Sequence, residues 1–264
     1  MSRPFIILLF LLIAFKGFSQ SLYKEEKNIE TDASFFTSDN QGNVYAVKEN
    51  EIIKFDKTGK QLYKYSNKNF GNITFVDASN MLRILVFYKD FLQVLFLDNT
   101  LTQNGDPVSL DKISFQQAQL VCSSHNSGLW IYDQQNLELV RLDSELKRTQ
   151  QTGNLSSLLN MEMQPTQLLE YDNKVYLNNP ATGILVFDIY GTYFKTIPVK
   201  NVTHFQPIGE WVYYQSENSV KAYNMKTTEE NEFKLPLSEF RNFRLEMEIL
   251  MLQTTSGIVL YSSK

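Results

Sequence analysis

Apolar and polar residues alternate along this chain in short runs, and the runs return at a near-constant interval. Val44-Tyr45-Ala46-Val47, Trp130-Ile131-Tyr132, Val175-Tyr176-Leu177 and Trp211-Val212-Tyr213 are apolar or aromatic stretches of three or four residues. Polar turns such as Lys48-Glu49-Asn50, Gln134-Gln135-Asn136 and Ser216-Glu217-Asn218 follow them. A second alternating run then ends on an apolar residue and an aspartate, at Phe55-Asp56, Leu97-Asp98, Leu142-Asp143 and Phe187-Asp188, with weaker echoes at Tyr223-Asn224 and Tyr261-Ser262. The steps between these anchors are 42, 45, 45, 36 and 38 residues. A second anchor lies eleven or twelve residues before each: Tyr45, Phe87, Tyr132, Tyr176, Tyr213 and Met251. Two anchors that keep their separation through six copies describe a structural repeat.

Short alternating runs bounded by turn residues predict strands, and turn signals every eight to twelve residues predict an all-β fold. A period of about 40 residues predicts propeller blades or a related array. Six copies with room for four strands each predict a six-bladed β-propeller. Asp, Asn or Ser at the anchor suits a tight turn, because a short polar side chain can accept from nearby backbone N–H groups. The sixth copy stops at its third strand, while residues 22–29 precede the first copy unclaimed. That segment is expected to supply the missing outer strand, so that the N-terminal strand closes the ring and leaves no exposed strand edges.

Within the first copy, Asp39-Asn40-Gln41-Gly42-Asn43-Val44-Tyr45 followed by Ile53-Lys54-Phe55-Asp56-Lys57-Thr58-Gly59 resembles one NHL-type blade of the six-bladed, TolB-like propeller group. The other copies keep the strand grammar and lose most of the glycines. The resemblance runs over residues 22–262 and specifies a blade, not a chemistry. Gluconolactonase and regucalcin relatives of similar fold hold a divalent cation at the channel mouth through Glu, Asn and Asp. Carried to this chain, that implies Glu170, Glu210, Glu239 and Glu246 as candidate ligands, with Asn50, Asn136 or Asn218 from turns; oxygen ligands of this kind suit calcium.

The first residues break the pattern. Arg3 is followed by an apolar run over residues 5–15 and then by Lys16-Gly17-Phe18-Ser19-Gln20. A basic start, a short apolar middle and small residues before a cut describe a secretory signal peptide, with cleavage expected after Ser19. This divides the chain into a leader, residues 1–19, and a propeller, residues 20–264. The only cysteine is Cys122, so no internal disulfide and no lipid attachment at the cleavage point is expected. Cys122 sits in an apolar stretch and reads as a small buried hydrophobe. Without the leader the chain carries 23 basic against 29 acidic residues. That mild acidity argues against nucleic acid and anionic membrane surfaces as partners. The expected product is an exported monomer, periplasmic or secreted, with no membrane insertion after cleavage.

Chemical motifs are few. The two histidines, His125 in a hairpin turn and His204 near the start of an inner strand, belong to different copies. They form no cluster at metal-ligand spacing. There is no Gly-x-Ser-x-Gly elbow and no Gly-rich phosphate loop. The connection over residues 149–165 is longer than its equivalents and carries Leu158, Leu159, Met161 and Met163, with Ser156 or Ser157 as the expected cap of a short helix. Adaptable Leu and Met side chains there either dock a partner or cover the propeller's own channel. Turns between second and third strands bring Asn50, Asn136, Asn178, Asn179 and Asn218 to the same face, as a polar rim or as ordinary turn chemistry. The leading expectation is a non-catalytic, protein-binding or scaffolding propeller of the bacterial envelope, with a protein partner there and no cofactor. The alternatives are a divalent-metal-dependent, lactonase-like hydrolase and a glycan or peptide sensor.

Overall fold

A computed structural model describes residues 23–263, and the leader expected over residues 1–19 lies outside the described residues. Six four-stranded antiparallel sheets stand around a ring. Blade 1 comprises β2 (Phe35–Ser38), β3 (Val44–Lys48), β4 (Glu51–Phe55) and β5 (Gln61–Ser66). Blade 2 comprises β6 (Phe75–Asp77), β7 (Ile84–Tyr88), β8 (Gln93–Leu97) and β9 (Val108–Ser109). Blade 3 comprises β10 (Ala118–Ser124), β11 (Gly128–Asp133), β12 (Glu138–Leu142) and β13 (Arg148–Gln151). Blade 4 comprises β14 (Gln167–Tyr171), β15 (Lys174–Asn179), β16 (Gly183–Asp188) and β17 (Tyr193–Ile197). Blade 5 comprises β18 (Phe205–Ile208), β19 (Trp211–Ser216), β20 (Ser219–Asn224) and β21 (Glu230–Phe233). Blade 6 takes β22 (Asn242–Glu246), β23 (Ile249–Gln253) and β24 (Gly257–Ser263) from one end of the chain, and its outer strand β1 (Tyr23–Glu30) from the other. The fold is the predicted six-bladed β-propeller, closed by the N-terminal strand.

The two sequence anchors have separate physical roles. Tyr45, Phe87, Tyr132, Tyr176 and Met251 are buried on the second strand of their blades. Each such aromatic side chain withdrawn from water is worth about 2 kcal/mol. The aspartates organise the turn into the outer strand. Asp56 Oδ1 accepts from the Thr58 and Lys60 N–H groups, Asp98 Oδ1 from Thr100 and Thr102, Asp143 Oδ1 from Glu145 and Lys147, and Asp188 Oδ1 from Tyr190 and Thr192. Asn224 Oδ1 does the same for Lys226 and Thr227. Ser262 breaks the series for a topological reason: no turn follows it, because the outer strand of its blade arrives from the N-terminus.

β1 pairs with β24 from Tyr23↔Ser263 to Glu30↔Gly257. Gly257 is required there, since a Cβ at that position would stand 2.3 Å from the Ile29 carbonyl oxygen. The apolar core is divided into one cluster per seam between blades. Polar side chains latch the same seams to the exposed backbone edge of the neighbouring inner strand. Gln167 brackets Phe205, donating to its carbonyl at 2.9 Å and accepting its N–H at 3.1 Å. Gln206 treats Leu245 in the same way. Asp77 accepts from the Ser123 N–H, and Gln253 donates to the Ala33 carbonyl. Between blades 1 and 2, Lys54 donates to the Asn99 carbonyl at 2.9 Å. The Lys54 contact reaches the turn between β8 and β9, while the other latches satisfy inner-strand edges that face the channel, where no further strand can pair.

Candidate functional site

An up-and-down blade puts its first-to-second-strand hairpins on one face of the ring, close around the channel. Blade connections and second-to-third-strand turns lie on the opposite face. A cavity of about 250 Å³ opens among the hairpins of blades 2 and 3, lined in part by Arg83, Asn80, Ser124, His125, Ser127 and Glu170.

The geometry starts from one tight turn. Asn126 and Ser127 both take left-handed backbone conformations, with φ of 54° and 58°. Two central residues with positive φ give the turn whose twist matches a strand pair, and Asn tolerates that conformation well. The turn sets His125 at its entrance, with the Gly128 N–H donating back to the His125 carbonyl. Gly128 then leaves space: a Cβ there would stand 2.5 Å from the Leu142 carbonyl and 3.0 Å from Arg141 Nη2. The Arg141 guanidinium passes through that space to donate from Nε to Ser124 Oγ at 2.9 Å and from Nη2 to the His125 carbonyl at 2.7 Å.

Glu170, from the first strand of blade 4, reaches across the seam. Its Oε2 accepts from Ser124 Oγ at 2.6 Å and from Trp130 Nε1 at 2.8 Å. Its Oε1 accepts from the His125 N–H and from His125 Nδ1, both at 2.9 Å. Ser124 thus sits between Arg141 and Glu170, linking a buried cation to a carboxylate through one hydroxyl. A carboxylate only accepts, so His125 Nδ1 carries a proton and donates it, which leaves Nε2 for a partner outside the network. No described residue partners Nε2. Arg83 stacks on the Phe96 ring with its guanidinium carbon 3.4 Å from the ring centroid. Burial holds that guanidinium below its usual range, and no acidic group pairs with it among the described residues.

A second network joins blades 5, 6 and 1. Glu246 accepts from Ser38 Oγ at 2.8 Å and Gln206 Nε2 at 3.1 Å, while Arg244 Nε donates to Ser38 Oγ at 3.1 Å. Burial raises the Glu246 carboxyl, and Arg244 opposes that rise. His204 is pushed down to about 4, first by burial and then by the Arg244 charge.

The residues singled out from sequence distribute unevenly. Leu155–Leu159 forms the short helix α1 of the long connection, but Asn154 caps it, accepting from the Ser157 N–H, while Ser156 Oγ donates to the Met161 carbonyl. Ser156 is therefore not the cap: its hydroxyl closes the far end of the turn. Met163 is buried in the core between blades 3 and 4, and Leu159 and Met161 pack against that core. Leu158 alone is well exposed, at 64 %. Asn178 and Asn179 are buried, and Asn179 spends its amide on the Glu162 carbonyl, Thr182 Oγ1 and the Gln164 N–H. Asn50 and Asn136 donate to Ser66 and Asp133, and Asn218 is exposed in its turn. Cys122 is buried, as its apolar setting implied.

The four carboxylates offered as cation ligands stand apart. Glu170 and Glu246 belong to the two networks above, Glu210 pairs with Lys226, and Glu239 is an exposed surface residue. Among the described residues no group of three or more His, Cys, Asp or Glu stands together as a metal site. The donor set therefore does not fit the cation implied by the gluconolactonase resemblance. Sequence reasoning missed Arg83, Arg141, Ser124 and Trp130. For Arg141 the legible signal was a buried-pattern cation between apolar residues of a third strand, Val140-Arg141-Leu142 in β12, matched by Ile53-Lys54-Phe55 in β4.

No protein-family model matches the chain, and no curated protein matches it. Solved structures match its fold. The Pan2 WD40 domain of Neurospora crassa superposes with a TM-score of 0.66 at 10 % identity, over 91 % of this chain and 95 % of that one. A streptogramin B lyase gives 0.61 at 11 % identity, over 92 % of this chain and 97 % of the lyase. BBS1N, solved in complex with ARL6DN, gives 0.56 at 13 % identity, over 84 % of this chain and 75 % of BBS1N. At these identities the likeness is one of fold.

Proposed function

We propose that this chain is an exported β-propeller of the bacterial envelope that docks a protein partner on the mouth ringed by its first-to-second-strand hairpins. One observation carries the reading. Two of those hairpins display large apolar side chains to solvent, Leu82 at 67 % and Met247 at 81 % exposure. Met247 does so from a left-handed backbone position, φ 56°, where glycine or asparagine is the ordinary choice. Neither side chain supports the fold by burial. Apolar anchors around a polar cavity containing arginine match the composition of protein interfaces. The opposite face offers Leu158 on the long connection, whose neighbours are drawn into the core, and Phe91 in the turn between β7 and β8.

Export is supported by the basic, apolar and small-residue order of the first twenty residues. The partner is supported by the structural neighbour solved in complex with another protein. Fractionation of cells expressing a C-terminally tagged chain, followed by gentle cross-linking and purification, tests both parts. The expected result is cleaved protein outside the cytoplasm, with one envelope protein recovered in constant ratio. Uncleaved cytoplasmic protein, or recovery of the chain alone, would overturn the reading.

A further inference from the structure

We propose that the cavity between blades 2, 3 and 4 binds a carboxylate that carries a hydrogen-bond donor beside it, as a peptide C-terminus or a 2-hydroxy acid does. Arg83 supplies the counter-charge. It lines the cavity, its face is covered by Phe96, and it has no acidic partner among the described residues. A guanidinium held this way is pre-ordered for a two-point interaction with a planar carboxylate. Glu170 also lines the cavity, but it does not compete for Arg83, because its two oxygens already receive four hydrogen bonds.

His125 supplies the second point of recognition. With Nδ1 given to Glu170, Nε2 is the ring nitrogen left for a ligand, and the neutral ring accepts there from an N–H or O–H beside the carboxylate. Sulfate or chloride has no such donor. The last amide of a peptide has one, close to its carboxylate, and so does the hydroxyl of a 2-hydroxy acid. Ser127 and Asn80 add polar groups to the wall. The volume, about 250 Å³, suits a chain terminus or small acid and is below the usual range for larger organic ligands. The chemistry of this site stands independently of the docking surface around it.

The test is isothermal titration of the mature protein with N-acetyl-trialanine and with lactate, each beside its amide, N-acetyl-trialanine amide and lactamide. The acids are expected to bind at least about tenfold more tightly than the amides, and Arg83→Gln to remove at least about tenfold of that affinity while the melting temperature holds. Arg83→Lys retains the charge without the fork and should fall between. Binding of the tripeptide without lactate assigns the site to a chain terminus; binding of both supports the shared carboxylate chemistry. Equal binding of acids and amides, no binding by either acid, or affinity unchanged in Arg83→Gln would each overturn the proposal. Loss of a partner from variants at Leu82 and Met247, with no acid bound, would leave the docking reading standing and remove this one.

Discussion

Replacing Glu170 with glutamine changes one oxygen to an NH2 group at the centre of the blade 3 to blade 4 seam. The carboxylate receives two donors on each oxygen: the Ser124 hydroxyl and Trp130 indole on Oε2, the His125 N–H and Nδ1 on Oε1. The amide has no good orientation. With its nitrogen at the Oε2 position it confronts the fixed indole N–H; at Oε1 it confronts a fixed backbone N–H. Either way one buried donor loses its acceptor, at about 1–3 kcal/mol. The remaining bonds lose charge assistance, about 1 kcal/mol more, and Arg141 loses the carboxylate that Ser124 connects it to. The expected destabilisation is about 3 kcal/mol. Urea unfolding at neutral pH, followed by tryptophan fluorescence, measures it directly, because Trp130 reports on the same seam. Glu239→Gln, an exposed substitution, should change stability by less than about 0.5 kcal/mol. A Glu170→Gln variant within about 1 kcal/mol of the parent would refute the claim that this carboxylate organises the site.

Two further outcomes follow from other seams. His204 has its pKa pushed down to about 4 in the fold, against about 6.5 in an unfolded chain. Its contribution is therefore intact above pH 6.5 and is lost as pH falls towards 4, by about 3 kcal/mol in all. His204→Asn should flatten that part of a series of urea midpoints against pH, and an unchanged slope would contradict the assignment. Gly257→Ala places a methyl group against the Ile29 carbonyl, so it should cost about 2 kcal/mol or more and speed amide exchange along β1. Parent-like exchange in β1 would show that ring closure does not depend on this contact.

How much of this was legible in the sequence depended on whether the information was local. The blade repeat was, because each Asp anchor satisfies N–H groups two and four residues on, and each aromatic anchor lies at a fixed place in its own hairpin. Closure was legible by counting strands, and the structure accounts for the missing sixth aspartate. The candidate site was not, because it is assembled across blades. Glu170 and His125 are 45 residues apart and meet only when blades 3 and 4 pack against each other. Both were noted singly, with no signal that they touch. The Leu and Met residues of the long connection had a composition equally suited to surface and core. Packing drew Met163 inward and left Leu158 outside.

The central claim is that a protein partner docks on the hairpin mouth and not on the face bearing α1. The most direct measurement compares cross-linked purifications of the tagged parent chain, a Leu82→Asp/Met247→Asp double variant and a Leu158→Asp variant, each first shown to melt like the parent. The account predicts that the double variant loses the partner and that Leu158→Asp keeps it. A partner retained by the double variant and lost with Leu158→Asp would place the interface on the opposite face and contradict the account.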